Sequence, residues 1–121
     1  MDTANCRFIH DASADRSLQG KPLNHVQGGA ITPNGRLILS SDGPPAIHVY
    51  DLSDGRYWGA AGVNRSGGWP KYEEVEGVDV RLGVKNDGHE TQIHLVLLDN
   101  DWPDQDDVII KHYSVPDPSN L

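Results

Sequence analysis

The chain has 121 residues, and eighteen Asp and Glu against ten Lys and Arg leave a formal net charge of −8. That length suits one small domain, and that sign of charge works against nucleic-acid phosphates or an anionic membrane surface as partner. Hydrophobic residues make up 36% of the chain beside 13 glycines and 8 prolines, too lean for a helical bundle and in keeping with a turn-rich, all-β protein. A short apolar run at 6–9 opens the chain and gives way to a polar linker over 11–24. The next run, 25–32, is followed by Asn34-Gly35 and a further run at 37–41. Asn-Gly between two apolar runs predicts a hairpin with a type I′ turn. Asp42-Gly43-Pro44-Pro45 is another turn, leading to a strand at 46–52 in which Ile47, Val49 and Asp51 share a face. Ser53-Asp54-Gly55 then reverses the chain into 56–63, and a Gly-rich connection occupies 64–70. A second series begins with a strand at 74–80, a turn of the Asn/Asp-Gly kind at 85–88 and a nearly continuous apolar run at 92–98. Such a run marks a strand covered on both faces. An acidic loop over 99–107, a strand at 108–115 and a tail at 116–121 complete the order, and no segment carries a helical period.

The second series matches the first. Val26-Gln27-Gly28 lies over Val75-Glu76-Gly77, Ile31 over Val80, Leu37-Ile38-Leu39 over Leu95-Val96-Leu97, and Ile47-His48-Val49-Tyr50 over Ile110-Lys111-His112-Tyr113. The offset grows from about 49 to about 63 residues through insertions in the loops at Lys85 and 99–107, and a period of roughly 40–50 residues carrying four antiparallel strands predicts a β-propeller blade. Blade one covers about 25–63 and blade two about 74–115, with the strand at 5–9 closing the second. Two blades do not make a ring, which needs about four to eight. Either three chains close a six-bladed ring by trimerisation, or the chain is a piece of a longer propeller. A monomeric β-sandwich or barrel is the alternative that discards the repeat.

The segments His25-Val26-Gln27-Gly28-Gly29-Ala30, Pro33-Asn34-Gly35-Arg36-Leu37, Ser40-Ser41-Asp42, Glu74-Val75-Glu76-Gly77, Leu98-Asp99-Asn100-Asp101 and Lys111-His112-Tyr113 carry a resemblance. Over residues 23–116 the chain resembles the last two blades of bacterial six-bladed propellers of the phytase-like and lactonase-like class. The resemblance implies the blade fold. It carries over no catalytic residue, because the four other blades of that class have no counterpart here.

Three constellations offer chemistry. Asp99, Asp101, Asp104, Asp106 and Asp107 could supply the hard oxygen ligands that Ca²⁺ prefers, although Pro103 and the lack of a central glycine exclude an EF-hand. The plain alternative is a solvated loop. The innermost strands place Gln27 and Glu76, with His25, Glu74 and Asp79 beside them, at the axis or its mouth, where a trimer would repeat each of them threefold. A ring of Glu76 carboxylates repels itself unless a cation or shared protons intervene; the alternative is pairing with Arg36, Lys71 or Arg81. Trp69 and Trp102 fall in loops at the blade junctions, where a tryptophan can stack on a sugar ring or simply pack between blades. Two-blade chains that trimerise also resemble certain small lectins in architecture, which implies carbohydrate or another small polar ligand. The six histidines include no close-spaced ligand pair, and no Gly-x-Ser-x-Gly elbow or phosphate-cradling Gly-Lys loop is present. The lone Cys6 reads as a small core residue that fits a reducing compartment; with neither a leader nor a membrane-length apolar run, the expectation is a soluble, cytoplasmic protein. The sequence thus points to a non-catalytic, self-associating binding module, with a metal-assisted hydrolase or lactonase-like enzyme as the alternative.

Overall fold

Turn chemistry divides the chain into hairpins. In the computed structural model the Gly35 N–H donates to the Thr32 carbonyl at 2.9 Å, and Gly35 adopts φ +77° while Asn34 does not enter the positive region. The turn is therefore type I closed by a left-handed glycine, not the expected type I′. Pro33, with φ preset at about −65°, supplies a central turn residue one position earlier. The structure describes residues 11–15, 17–20, 22–63, 73–83, 90–99, 107–116 and 121.

Seven strands follow in order: β1 Val26–Ile31, β2 Arg36–Asp42, β3 Pro45–Asp51, β4 Tyr57–Gly62, β5 Glu73–Arg81, β6 Gln92–Asp99 and β7 Asp107–Ser114. Each lies where the apolar runs placed it. The run at 6–9, the connection at 64–70 and most of the acidic loop lie outside the described residues. The strands form two open antiparallel sheets, β1-β2-β3-β4 and β5-β6-β7, so the described residues are all-β without a closed barrel. A 3-10 turn over Ala12–Ala14 precedes them. Beyond it, residue 19 is tied to the β3–β4 turn by a Gln19 N–H bond to the Gly55 carbonyl at 2.8 Å.

The sheets pack face to face. Ile38 and Ile47 from the first meet Val75, Ile93, Leu95 and Leu97 from the second in a buried cluster that Val63 and Leu121 extend. Leu121, in the stretch read as a tail, is buried there and its carbonyl accepts from Asn34 Nδ2 at 2.6 Å. In β6 the odd positions 93, 95 and 97 are buried and their even neighbours half-buried, the two-residue period of a strand with one face on the core.

The inner strands meet most closely. β5 lies against β1 and β2, and a methyl carbon on Gly28 would stand 2.8 Å from Gly77 Cα and 2.9 Å from Val78 N. The Val75 N–H also donates to Asp42 Oδ1 at 3.3 Å, joining the sheets by a hydrogen bond.

Strand register places an extra residue at the Val-polar-Gly stretch of both sheets. β1 pairs Val26 with Ser41 and Gly28 with Ser40, leaving Gln27 bulged; β5 pairs Val75 with Leu97 and Gly77 with Val96, leaving Glu76 bulged. The same extra residue therefore sits at the same place in both sheets, as the Val-Gln-Gly and Val-Glu-Gly match requires. Pairing then aligns Ser40 with Val96 and Ile47 with Ile110. The third matched block keeps its alignment, whereas Leu37-Ile38-Leu39 slips by two positions, onto Ile93-His94-Leu95. A slip of two preserves which face each side chain occupies, so apolar matching alone does not detect it.

These correspondences fix how the sheets stack. The core-facing row Gly28, Ser40 and Ile47 of the first sheet corresponds to Gly77, Val96 and Ile110, which lie on the outer face of the second. Conversely Leu95 and Val78, on the core side of the second sheet, correspond to Leu39 and Gly29 on the outer side of the first. The two units are stacked head to tail, both facing the same way, and not as mirror partners.

Gly28→Ala should destabilise the fold by about 2 kcal/mol, since backbone faces the new methyl and overpacking of this kind costs about 1–3 kcal/mol. Gly62→Ala, which meets nothing within 4 Å, should change stability by less than about 0.5 kcal/mol. Urea unfolding of the two variants checks this, and equal midpoints would contradict the close approach.

Candidate functional site

His25, Gln27, Glu74, Glu76 and Asp79 lie on or beside β1 and β5. β1 and β5 are the terminal strands of their sheets, and the Gly28 to Gly77 approach brings them side by side. Gln27 and Glu76 are the bulged residues that flank those glycines, the first exposed and the second half-buried. A bulge leaves its residue out of the ladder and re-aims its side chain. His25, just ahead of β1, holds φ +52°, a left-handed conformation uncommon outside glycine, and its carbonyl accepts from the Asp42 N–H at 3.0 Å. Glu74, one repeat later, is half-buried opposite Leu98, and Asp79 is exposed opposite His94. β1 thus carries Gln27, and β5 carries Glu74, Glu76 and Asp79 spread along its length.

Trp69, Trp102, Asp101, Asp104 and Asp106 lie outside the described residues. Asp99 and Asp107 are described as backbone partners, the last pair of the β6–β7 ladder. Among the described residues no group of three or more His, Cys, Asp and Glu is arranged to hold a metal ion. Register does create a histidine pair that spacing along the chain conceals: His94 and His112 are directly opposite on β6 and β7, with ring centroids 4.6 Å apart in an edge-on arrangement. The His94 ring is also within 3.2 Å of Gln92 Oε1.

A second recess lies on the outer face of the first sheet. Residues 20 and 22–24 overlie Ser41, His48 and Tyr57 and enclose about 620 Å³. Ser41 Oγ is 3.0 Å from His48 Nε2, and His48 Nδ1 is 3.4 Å from the Tyr57 hydroxyl. Ser41 is buried and lies within 3.2 Å of the Pro44 carbonyl, to which its hydroxyl can donate. A serine–histidine contact has the reach of a nucleophile and base, but His48 meets a phenol where a carboxylate would orient it. The arrangement is a polar relay flooring a recess. Burial holds the His48 pKa below the ordinary imidazole value of 6.5, so the neutral ring is favoured.

The sheets diverge away from β1 and β5. A cleft of about 430 Å³ opens between them, lined by Ile47, Val49 and Trp58 on one side and Ile93, Tyr113 and Val115 on the other. β4 presents only Gly59, Ala60, Ala61 and Gly62 to it after Trp58, which leaves the gap unfilled. Trp58, the extra residue of a β3–β4 register shift, lies under Arg36, whose guanidinium carbon is 3.9 Å from the ring centroid. Arg36 also pairs with Asp51 at 2.6 Å. The Ser53 hydroxyl, then the Ser53 N–H, and after them Arg36 hold the Asp51 carboxyl below its usual range.

Sequence spacing does not bring Ser41, His48 and Tyr57 together. The available signal was the short Gly43-Pro44 turn, which sets Ser41 opposite Ala46 and so diagonal to His48. No protein family model, curated protein or solved structure matches this chain.

The depressed pKa of His48 has a consequence for stability. As pH falls, the unfolded chain takes up the histidine proton first, so stability rises with pH below 6.5 and is lost as pH drops through the folded value. Thermal melts between about pH 5 and 6.5 should show this slope, and His48→Gln should flatten it. A variant with the wild-type slope would remove His48 as its source.

Proposed function

We propose that this chain is a non-catalytic ligand-binding and assembly module of β-propeller type. Each chain contributes two blades, three chains close a six-bladed ring, and a small polar ligand or carbohydrate sits at the channel mouth. The observation that carries this reading is the head-to-tail stacking of two equivalent sheets, with Gln27 and Glu76 bulged at the same place on adjacent inner strands. Blades of a propeller stack in this sense, inner strands close together and outer strands spread. The splayed cleft beside β4 and β7 supports the same picture. In this reading the strand at 5–9 completes the second blade, and the ring repeats Gln27 and Glu76 alternately around its axis. Carboxylates and amides so placed accept hydrogen bonds from sugar hydroxyls or coordinate a cation, which would relieve their mutual repulsion.

Light scattering on a size-exclusion column should give about 40 kDa, three times the 13.3 kDa chain; a cooperatively melting monomer would overturn the ring. Titration calorimetry with neutral monosaccharides and with Ca²⁺ then tests the ligand. Saturable binding to one of them, weakened at least tenfold by Glu76→Gln, is the expected result. Indifference to every probe overturns the ligand-binding half of the proposal, and chelator-sensitive turnover would favour the metal-assisted hydrolase.

A further inference from the structure

We infer that the outer face of the β5-β6-β7 sheet is a docking surface for a second copy of this chain, which seats the outer face of its β1-β2-β3-β4 sheet upon it. This rests on the self-assembly proposed above and adds which surfaces meet.

Within one chain, the core face of the first sheet packs on the core face of the second. By register, the first of these corresponds to the outer face of the second sheet, and the second to the outer face of the first. Each chain therefore ends in two unlike faces that are counterparts of the pair already joined inside it. A contact between unlike faces is heterologous and propagates until rotation closes it.

The exposed side chains agree. On the second sheet Val108 and Ile110 are 63% and 54% exposed, with Val96 and Leu98 half-buried beside them. On the first sheet Ile31 and Val26 are 62% and 47% exposed next to half-buried Leu37 and Leu39. Residues 20 and 22–24 overlie the β3–β4 half of that face and leave these β1–β2 positions uncovered. The β1–β2 half is also the part of the first sheet that bears the contact with β5 inside the chain. None of these outer-face residues of β1 and β2 is a carboxylate, so the acidic margin of the second sheet, Glu74 and Asp79, meets no like charge there.

The glycines give the sharpest correspondence. Gly28 lets β1 touch the Gly77 backbone, and Gly77 is its counterpart on the outer face. A methyl on Gly77 meets only Val96 of its own sheet, at an ordinary 3.9 Å. Inside the chain the side chain is dispensable space; against a second copy it would strike the backbone at Gly28. One difference is built in: Leu98 stands where Asp42 does, so the contact between copies exchanges the bond to Val75 N–H for apolar burial.

The test compares masses by light scattering for wild type, Gly77→Ala, Ile110→Asp and Ile31→Asp, with circular dichroism to verify folding. Wild type should assemble to about 40 kDa while each variant runs as a folded 13.3 kDa monomer. Mixing Ile110→Asp with Ile31→Asp should give a capped dimer of about 27 kDa, because each chain retains the face the other has lost. Assembled wild type with variants that stay assembled, or a mixture that stays monomeric, overturns these docking faces while leaving self-assembly intact. A monomeric wild type overturns both.

Discussion

Everything else in the fold depends on one contact between backbones. Where β1 meets β5, Gly28 has no side chain to hold the two sheets a normal distance apart, and its strand approaches the Gly77 backbone until a single methyl would collide. Facing sheets otherwise stand about 10 Å apart, filled by side chains from both. Pinning the sheets at their inner strands forces the remaining strands to diverge. The core fills the space nearest the pin with Ile38, Val75, Leu95 and Leu97, and the far side remains an apolar cleft bordered by the small residues of β4.

Both strands of this contact are bulged directly before the glycine. A bulge strengthens local twist and turns one residue out of the ladder, and here it falls on Gln27 and Glu76, directly before each glycine. The polar residue that each bulge turns out of the ladder thus lies beside the approach of β1 to β5.

Head-to-tail stacking has its own consequences for polarity. Corresponding positions face different neighbours: Ile47 is buried against the second sheet, while its counterpart Ile110 is more than half exposed. Ile38 and Val49 are apolar, whereas their counterparts His94 and His112 form a ring pair on the outer face. Matched positions share their place in the ladders and differ in side chain according to what covers them. On the other outer face, Tyr50 and Ala46 are buried close to Ser41 and His48, so polar groups there are held by partners and not by solvent.

Strand positions and turns were legible in the sequence because alternation and Gly/Pro/Asn punctuation are local properties of the chain. The matching bulge was legible through Val26-Gln27-Gly28 and Val75-Glu76-Gly77, whereas Leu37-Ile38-Leu39 and its match lie two residues out of step in the ladders, which leaves hydrophobic matching unchanged. The Ser41–His48–Tyr57 relay and the His94–His112 pair were not legible, since each forms across strands whose relative register no spacing along the chain records. By itself, then, the sequence determined the all-β class, the order of strands and the two matched units, because those follow from backbone preferences of a few residues at a time. Tertiary structure alone decided which face of each sheet is covered and which side chains meet, because those depend on the approach of segments some fifty residues apart, set where Gly28 lies on the Gly77 backbone by the absence of a single carbon atom at Gly28.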